Sequence, residues 1–125
     1  GKDMEGMNKG RTKKKSSRPM AQAPVSIQAF LKEGAAKVGK STLVLTILDP
    51  VTGKSLEKLN ISAKVFMTSM DMGTDRPKVE ELGKGRYQVK VAFGMAGPWR
   101  VELNITWPGK KPFVKDLDFE VHMPQ

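Results

Sequence analysis

Two runs of strict period-two alternation, joined by a short link rich in glycine and proline, most constrain what this chain can fold into. Tyr87, Val89, Val91 and Phe93 alternate with Arg86, Gln88, Lys90 and Ala92. Trp99, Val101, Leu103, Ile105 and Trp107 alternate with Arg100, Glu102, Asn104 and Thr106. A helix does not place alternate residues on one face, whereas a pleated strand does, so each run reads as a strand with one buried and one wet face. Gly94, Gly97 and Pro98 supply the backbone freedom and fixed φ of a turn between them. Residues 86–107 are therefore expected to form an antiparallel hairpin carrying both tryptophans and the only tyrosine. Met95 is unusual in this link, where packing rarely calls for a long apolar side chain.

The rest of the chain speaks the same language. Val25, Ile27, Ala29 and Leu31 form the apolar phase of a first strand. Ser41 to Asp49 is apolar on both phases (Leu43, Val44, Leu45, Ile47, Leu48), the pattern of a central strand. Ile61, Ala63 and Val65 lead a strand into Phe66 and Met67, and Pro77 to Leu82 reads as an edge strand that tolerates its opening proline. A last strand places Phe113, Leu117, Phe119 and Val121 on one phase and Asp116, Asp118, Glu120 and His122 on the other. Turn residues punctuate these runs, as in Asp49-Pro50-Val51-Thr52-Gly53 and Gly83-Lys84-Gly85. About seven short strands with no helical periodicity predict an all-β, immunoglobulin-like antiparallel β-sandwich.

Composition sets the domain boundary. The net charge is +9, and residues 1–24 hold seven Lys/Arg against two Asp/Glu. That stretch lacks apolar periodicity and is expected to be a disordered basic linker, with residues 25–125 as the sandwich domain. The run Arg11-Thr12-Lys13-Lys14-Lys15-Ser16-Ser17-Arg18 can attract phosphate, but no aromatic residue interleaves with it to stack on bases. A solvated spacer is the preferred reading, and nucleic acid is not expected as a partner. The start at Gly1-Lys2-Asp3 suits a chain that follows a removed leader or lipid-modified residue, hence a membrane tether through a trimmed N-terminus.

Catalytic chemistry finds little support. There is no cysteine, and the only histidine, His122, sits on the polar phase of the last strand without an orienting partner. No serine occupies a nucleophile elbow and no glycine loop precedes a helix, so an enzyme is not expected. Asp116, Asp118 and Glu120 read as a solvated acidic face in preference to a weak calcium feature.

The methionines carry the stronger signal. The chain has eight, of which Met67, Met70 and Met72 crowd one loop and Met95 sits in the central link. Thioether sulfur is a soft, neutral donor that suits Cu(I) and needs no deprotonation. Met70 and Met72 share a side if their segment is extended, and alternate loops of a sandwich gather at one end. The competing reading is that these methionines fill gaps or form an adaptable contact surface.

Taken together, Val38-Gly39-Lys40, the turn Asp49–Lys54, Met67…Met70-Asp71-Met72-Gly73, Gly85-Arg86-Tyr87 and Phe93-Gly94-Met95-Ala96-Gly97-Pro98-Trp99 resemble the YtkA-like and FixH-like family over about residues 36–107. The resemblance implies a small extracytoplasmic, often membrane-tethered β-sandwich associated with copper handling, with assembly of haem-copper oxidases or with metal efflux. Its candidate metal ligands here are Met67, Met70, Met72 and Met95. The expectation is an extracytoplasmic, bacterial, monomeric domain, in the periplasm or on the outer face of the cell membrane. It would bind Cu(I) weakly, for storage or delivery to a membrane oxidase or efflux partner. The alternative is a metal-free protein-interaction domain of a membrane-tethered lipoprotein. No histidine lies near the methionine loops in sequence, which argues for Cu(I) and against a mixed His/Met Cu(II) site. His122 contributes only if the last strand ends beside those loops.

Overall fold

The computed structural model describes residues 23–124. The linker expected over residues 1–24 thus lies outside the described residues except for Ala23 and Pro24, as do Met4, Met7, Met20 and the basic run. Seven strands appear: β1 (Ser26–Leu31), β2 (Gly39–Leu48), β3 (Asn60–Met67), β4 (Val79–Gly83), β5 (Arg86–Phe93), β6 (Gly97–Thr106) and β7 (Phe113–Val121). All named pairings are antiparallel, in a four-stranded sheet β1-β2-β5-β4 facing a three-stranded sheet β3-β6-β7. This is the strand distribution of an immunoglobulin constant-type sandwich, as the turn spacing predicts.

The alternating residues meet between the sheets. Leu43, Leu45, Ile47, Val89, Val91 and Phe93 from one sheet face Val65, Val101, Leu103, Ile105 and Val121 from the other, all essentially inaccessible. Each large side chain so buried contributes roughly 1.5–3 kcal/mol. β2 is central, between β1 and β5, and even its outward Val44 is buried, which explains why both of its phases are apolar. β4 lies at the sheet edge, as its proline lead-in implies.

One expectation fails. β5 and β6 do not form a hairpin: β5 pairs with β2 and β4, whereas β6 pairs with β3 and β7. The link 94–96 crosses from one sheet to the other. Alternation cannot separate the two cases, because strands side by side and strands face to face across a core bury alternate residues equally well. Three residues span at most about 10 Å, which matches the separation of packed sheets. The two rings flanking the link then meet in the core, with Phe93 and Trp99 centroids 5.6 Å apart at 64°, an edge-to-face contact.

Tyr87 ties the core to the β2–β3 connection. Its buried hydroxyl donates to the Leu56 carbonyl at 2.8 Å and accepts from the Leu59 N–H at 3.2 Å. Burial pushes this phenol above its ordinary value of 10.0, against the opposing hydrogen bond from Leu59. A group held protonated in the folded state loses its contribution to stability as pH rises past the unfolded value, because the unfolded chain then ionises more readily. Tyr87→Phe is expected to cost about 1–3 kcal/mol by urea unfolding, with two backbone groups losing their partner. Because Tyr87 is the only tyrosine, absorbance at 295 nm isolates its titration. Ionisation of the folded protein at or below the free-tyrosine value would contradict this account.

Candidate metal centre

The strand registers settle which loops share an end. Gly39 at the start of β2 lies opposite Phe93 at the end of β5. Met67 at the end of β3 lies opposite Trp99 near the start of β6. Gly97 at the start of β6 lies opposite Val121 at the end of β7. Segments 32–38, 68–78, 94–96 and 122–124 therefore all open at one pole of the sandwich. The loop after β3 and the link bearing Met95 do meet at a common end, and the last strand finishes there too. Trp107, just past the end of β6, marks the opposite pole.

The four methionines differ in what they do there. Met67 is a core residue, only 6% exposed. Its ε-methyl lies over Gly97, 2.6 Å from where a β-carbon on that glycine would sit. Met70 and Met72 are 51% and 53% exposed, and Met95 is 36% exposed. These three are exposed at the pole, whereas Met67 packs into the core against Gly97. An open depression of about 360 Å³ is lined by Met67 and Met70 together with Phe66, Thr68, Ser69 and Asp71. Met72 and Met95 stand outside it.

The loop is held at both ends. Val65 and Asp75 exchange two backbone hydrogen bonds, of 2.8 and 2.9 Å, which fold the chain back along the free edge of β3. The Thr68 N–H donates to the Pro98 carbonyl at 3.0 Å, tying the loop to the first residues of β6. Inside the loop, the Asp71 carboxylate accepts from the Gly73 N–H at 3.0 Å, and Gly73 adopts φ +87°. Met70 and Met72 thus flank a side-chain-capped turn and do not lie on an extended run. Strand alternation does not govern their directions, and the expectation based on it is corrected. Met95 is fixed from the other side: its carbonyl accepts from the Trp99 indole N–H at 2.8 Å.

Other candidate features resolve differently. Among the described residues, no group of three or more His, Asp or Glu side chains is gathered for a metal ion. The acidic face of β7 is occupied by a cation: Arg100 Nε donates to Asp118 Oδ1 at 2.7 Å, and Arg100 Nη1 lies 3.8 Å from Asp116 Oδ2. The Arg100 hydrogen bond holds the Asp118 carboxyl below its ordinary value. The pair is therefore an ion-pair partner and not a calcium site. The donors that fit a soft cation are thioethers on the loop and link. His122, at the same pole, is a residue whose position could not be read from its place in the sequence.

Gly97 tests the packing under this pole. It adopts φ +135°, and a β-carbon there would collide with the Met67 methyl. Gly97→Ala is expected to cost about 1–3 kcal/mol and to move the Met67 ε-methyl resonance. An unchanged midpoint of unfolding with an unchanged Met67 methyl signal would contradict this packing.

Solved structures share this architecture at low identity. A DUF4426 family protein from Pseudomonas aeruginosa superimposes with TM-score 0.60 at 2% identity, covering 87% of this chain and 100% of that one. The soluble domain of PmoD from a Methylocystis species gives 0.52 at 14% identity, covering 78% and 90%. A copper-bound variant of FetP from uropathogenic Escherichia coli gives 0.53 at 14% identity, covering 83% and 93%. The chain spans only 29% of a DUF4785 family protein from Legionella pneumophila, which it resembles with TM-score 0.57 at 9% identity over 81% of its own length. No curated protein sequence matches the chain. At these identities the likenesses establish the fold alone. The sequence itself, however, matches the YtkA-like family profile over residues 20–104. That is more than half its length, and the chain belongs to the YtkA-like family.

Proposed function

We propose that this domain binds Cu(I) weakly through thioethers at one pole of the sandwich and carries the metal for storage or for delivery to a membrane-bound partner. The observation that carries the reading is the convergence of the tethered loop bearing Met70 and Met72 with the link bearing Met95. All three side chains are substantially exposed. A methionine placed for packing alone would be buried, as Met67 is. Soft, neutral sulfur selects Cu(I) over harder cations. Met67, buried against Gly97, is packed into the core and is not one of the exposed donors. The structural likeness to a copper-bound FetP variant is consistent with this reading.

The role is one of binding and not catalysis. Its partner in this reading is a membrane protein or complex engaged in oxidase assembly or metal efflux, and its setting is extracytoplasmic. Membership of the YtkA-like family supports this reading of partner and setting. No helix among the described residues is long and apolar enough to cross a membrane.

A second reading has an observation of its own. Met70, Met72 and Met95, with Met123 at 64% exposure, also make an adaptable apolar surface on which a protein partner can dock without metal. Titration with Cu(I) against a competing chelator separates the two. Cu(I) binding is expected, and Met70→Ser with Met72→Ser is expected to weaken it by about tenfold or more, equivalent to about 1.4 kcal/mol. A double variant that binds as well as the parent would defeat the copper reading and leave the docking surface.

A further inference from the structure

The two outer faces of the sandwich handle charge in opposite ways. Residues opposite one another in a register share a face of their sheet, so the registers and the buried phase assign the strand residues to one side or the other. The outer face of β3-β6-β7 carries Lys64 and Arg100 with Glu102, Asp116, Asp118 and Glu120. Both cations are matched there: Lys64 Nζ lies 3.8 Å from Glu102 Oε1, and Arg100 Nε donates to Asp118 Oδ1 at 2.7 Å. The outer face of β1-β2-β5-β4 carries Lys40, Arg86 and Lys90 instead. The register sets each opposite a neutral residue: Lys40 opposite Ala92, Lys90 opposite Thr42, and Arg86 opposite Thr46. All three are exposed, and none forms an ion pair with another described residue. The two acids nearest them are already engaged. The Glu33 carboxylate accepts from the Thr42 N–H at 2.9 Å, and the Glu80 carboxylate accepts from the Gln88 side-chain amide at 2.6 Å.

The spacing of these charges describes what would meet them. Lys40 and Lys90 are diagonal neighbours on β2 and β5, about 7–8 Å apart. An open depression of about 270 Å³ is lined by both, together with Glu33, Thr42 and Ala92. Arg86 stands four residues from Lys90 on the same face, about 13 Å along the strand. The three cations are thus spread over the sheet, too widely for one small anion. Between the Lys90 row and the Arg86 row, Phe30 of the edge strand β1 stands opposite Val44. Phe30 is 56% exposed, whereas Val44 is buried. Separated cations around one protruding apolar ring suit an anionic lipid surface, where headgroups meet the charges and the ring enters the interface. Nucleic acid is served less well, because Phe30 is the only aromatic residue on this face and successive bases need successive platforms.

We propose that the outer face of the four-stranded sheet docks on an anionic lipid bilayer, with Lys40, Arg86 and Lys90 at the headgroups and Phe30 in the interface. The acidic outer face of β3-β6-β7 is then turned away from the membrane, which sets the side that docks. The strands run along the membrane surface, so the pole bearing Met70, Met72 and Met95 opens parallel to it. The docking does not depend on the copper reading.

Co-sedimentation of the full chain with lipid vesicles tests the proposal. Vesicles of phosphatidylcholine and phosphatidylglycerol in equal parts are expected to bind the parent, with affinity falling as salt rises. Vesicles of phosphatidylcholine alone are not. Lys40→Gln, Arg86→Gln and Lys90→Gln combined are expected to weaken binding by about tenfold or more. Lys110→Gln, Lys111→Gln and Lys115→Gln, which remove the same charge elsewhere, are expected to weaken it far less. Phe30→Ser is expected to weaken binding while leaving its salt dependence unchanged. The basic run Arg11–Arg18 is present in every variant, so the differences report the sheet face. A parent that ignores the anionic vesicles, a sheet-face variant that binds as the parent does, or equal losses in the two triple variants would overturn the proposal. So would a single-stranded oligonucleotide whose binding the sheet-face substitutions weaken more than they weaken vesicle binding. Cu(I) binding is expected to be the same in the sheet-face variant as in the parent, and its absence from both would bear on the proposed function alone.

Discussion

The contact between Phe93 and Trp99 across the core is the interaction on which the rest of this structure depends. Each ring ends an alternating strand in a different sheet, and they meet edge to face at 5.6 Å. The chain between them has only three residues outside strands, so the two sheets are held at packing distance where the polypeptide crosses. Trp99 then fixes the crossing from below through its bond to the Met95 carbonyl. A methionine in a position that packing does not demand is thereby locked at the rim of the sandwich.

That crossing determines what else gathers at the rim. β6 is the middle strand of its sheet, with β3 on one side and β7 on the other. Antiparallel pairing requires that β3 and β7 both end where β6 begins, so the loop after β3 and the residues after β7 flank the Met95 link. The paired bonds between Val65 and Asp75 prevent the β3–β4 loop from swinging away, and the main-chain bonds of His122 to Ala36 and Val38 do the same for the end of β7. Main-chain hydrogen bonds thus hold these segments at the rim, where Met70, Met72 and Met95 are exposed. Met67 is the exception, buried against Gly97, and it marks the boundary between core and site.

Local pattern sufficed for the strands and failed for their partners. Tyr87 to Phe93 and Trp99 to Ile105 announce buried faces because the pleat forces alternation, and the double apolar phase of β2 announces a central position. The same alternation reads alike for a hairpin and for two strands facing each other, so the crossing at 94–96 was legible only through the seven-strand fold as a whole. At the site, the convergence of Met95 with the Met67–Met72 loop followed from how a sandwich collects its loops. The turn at Asp71, formed by one carboxylate bond to Gly73, broke the extended geometry expected for Met70 and Met72. The burial of Met67 continues the inward phase of Ala63 and Val65 to the last residue of β3, and only its closeness in sequence to Met70 and Met72 made it read as part of the loop. His122 lies more than twenty residues from the nearest methionine of the loops, and only the long-range register of β6 with β7 brings it to the same pole.

Methionine-methyl spectra of the full chain, with 13C on every ε-methyl, test the central claim most directly. On adding Cu(I), the methyls of Met70, Met72 and Met95 are predicted to shift together along a single binding curve, with Met4, Met7 and Met20 unmoved. Shifts confined to Met4, Met7 and Met20, or separate curves for Met95 and the Met70–Met72 pair, would show that the pole does not act as one site.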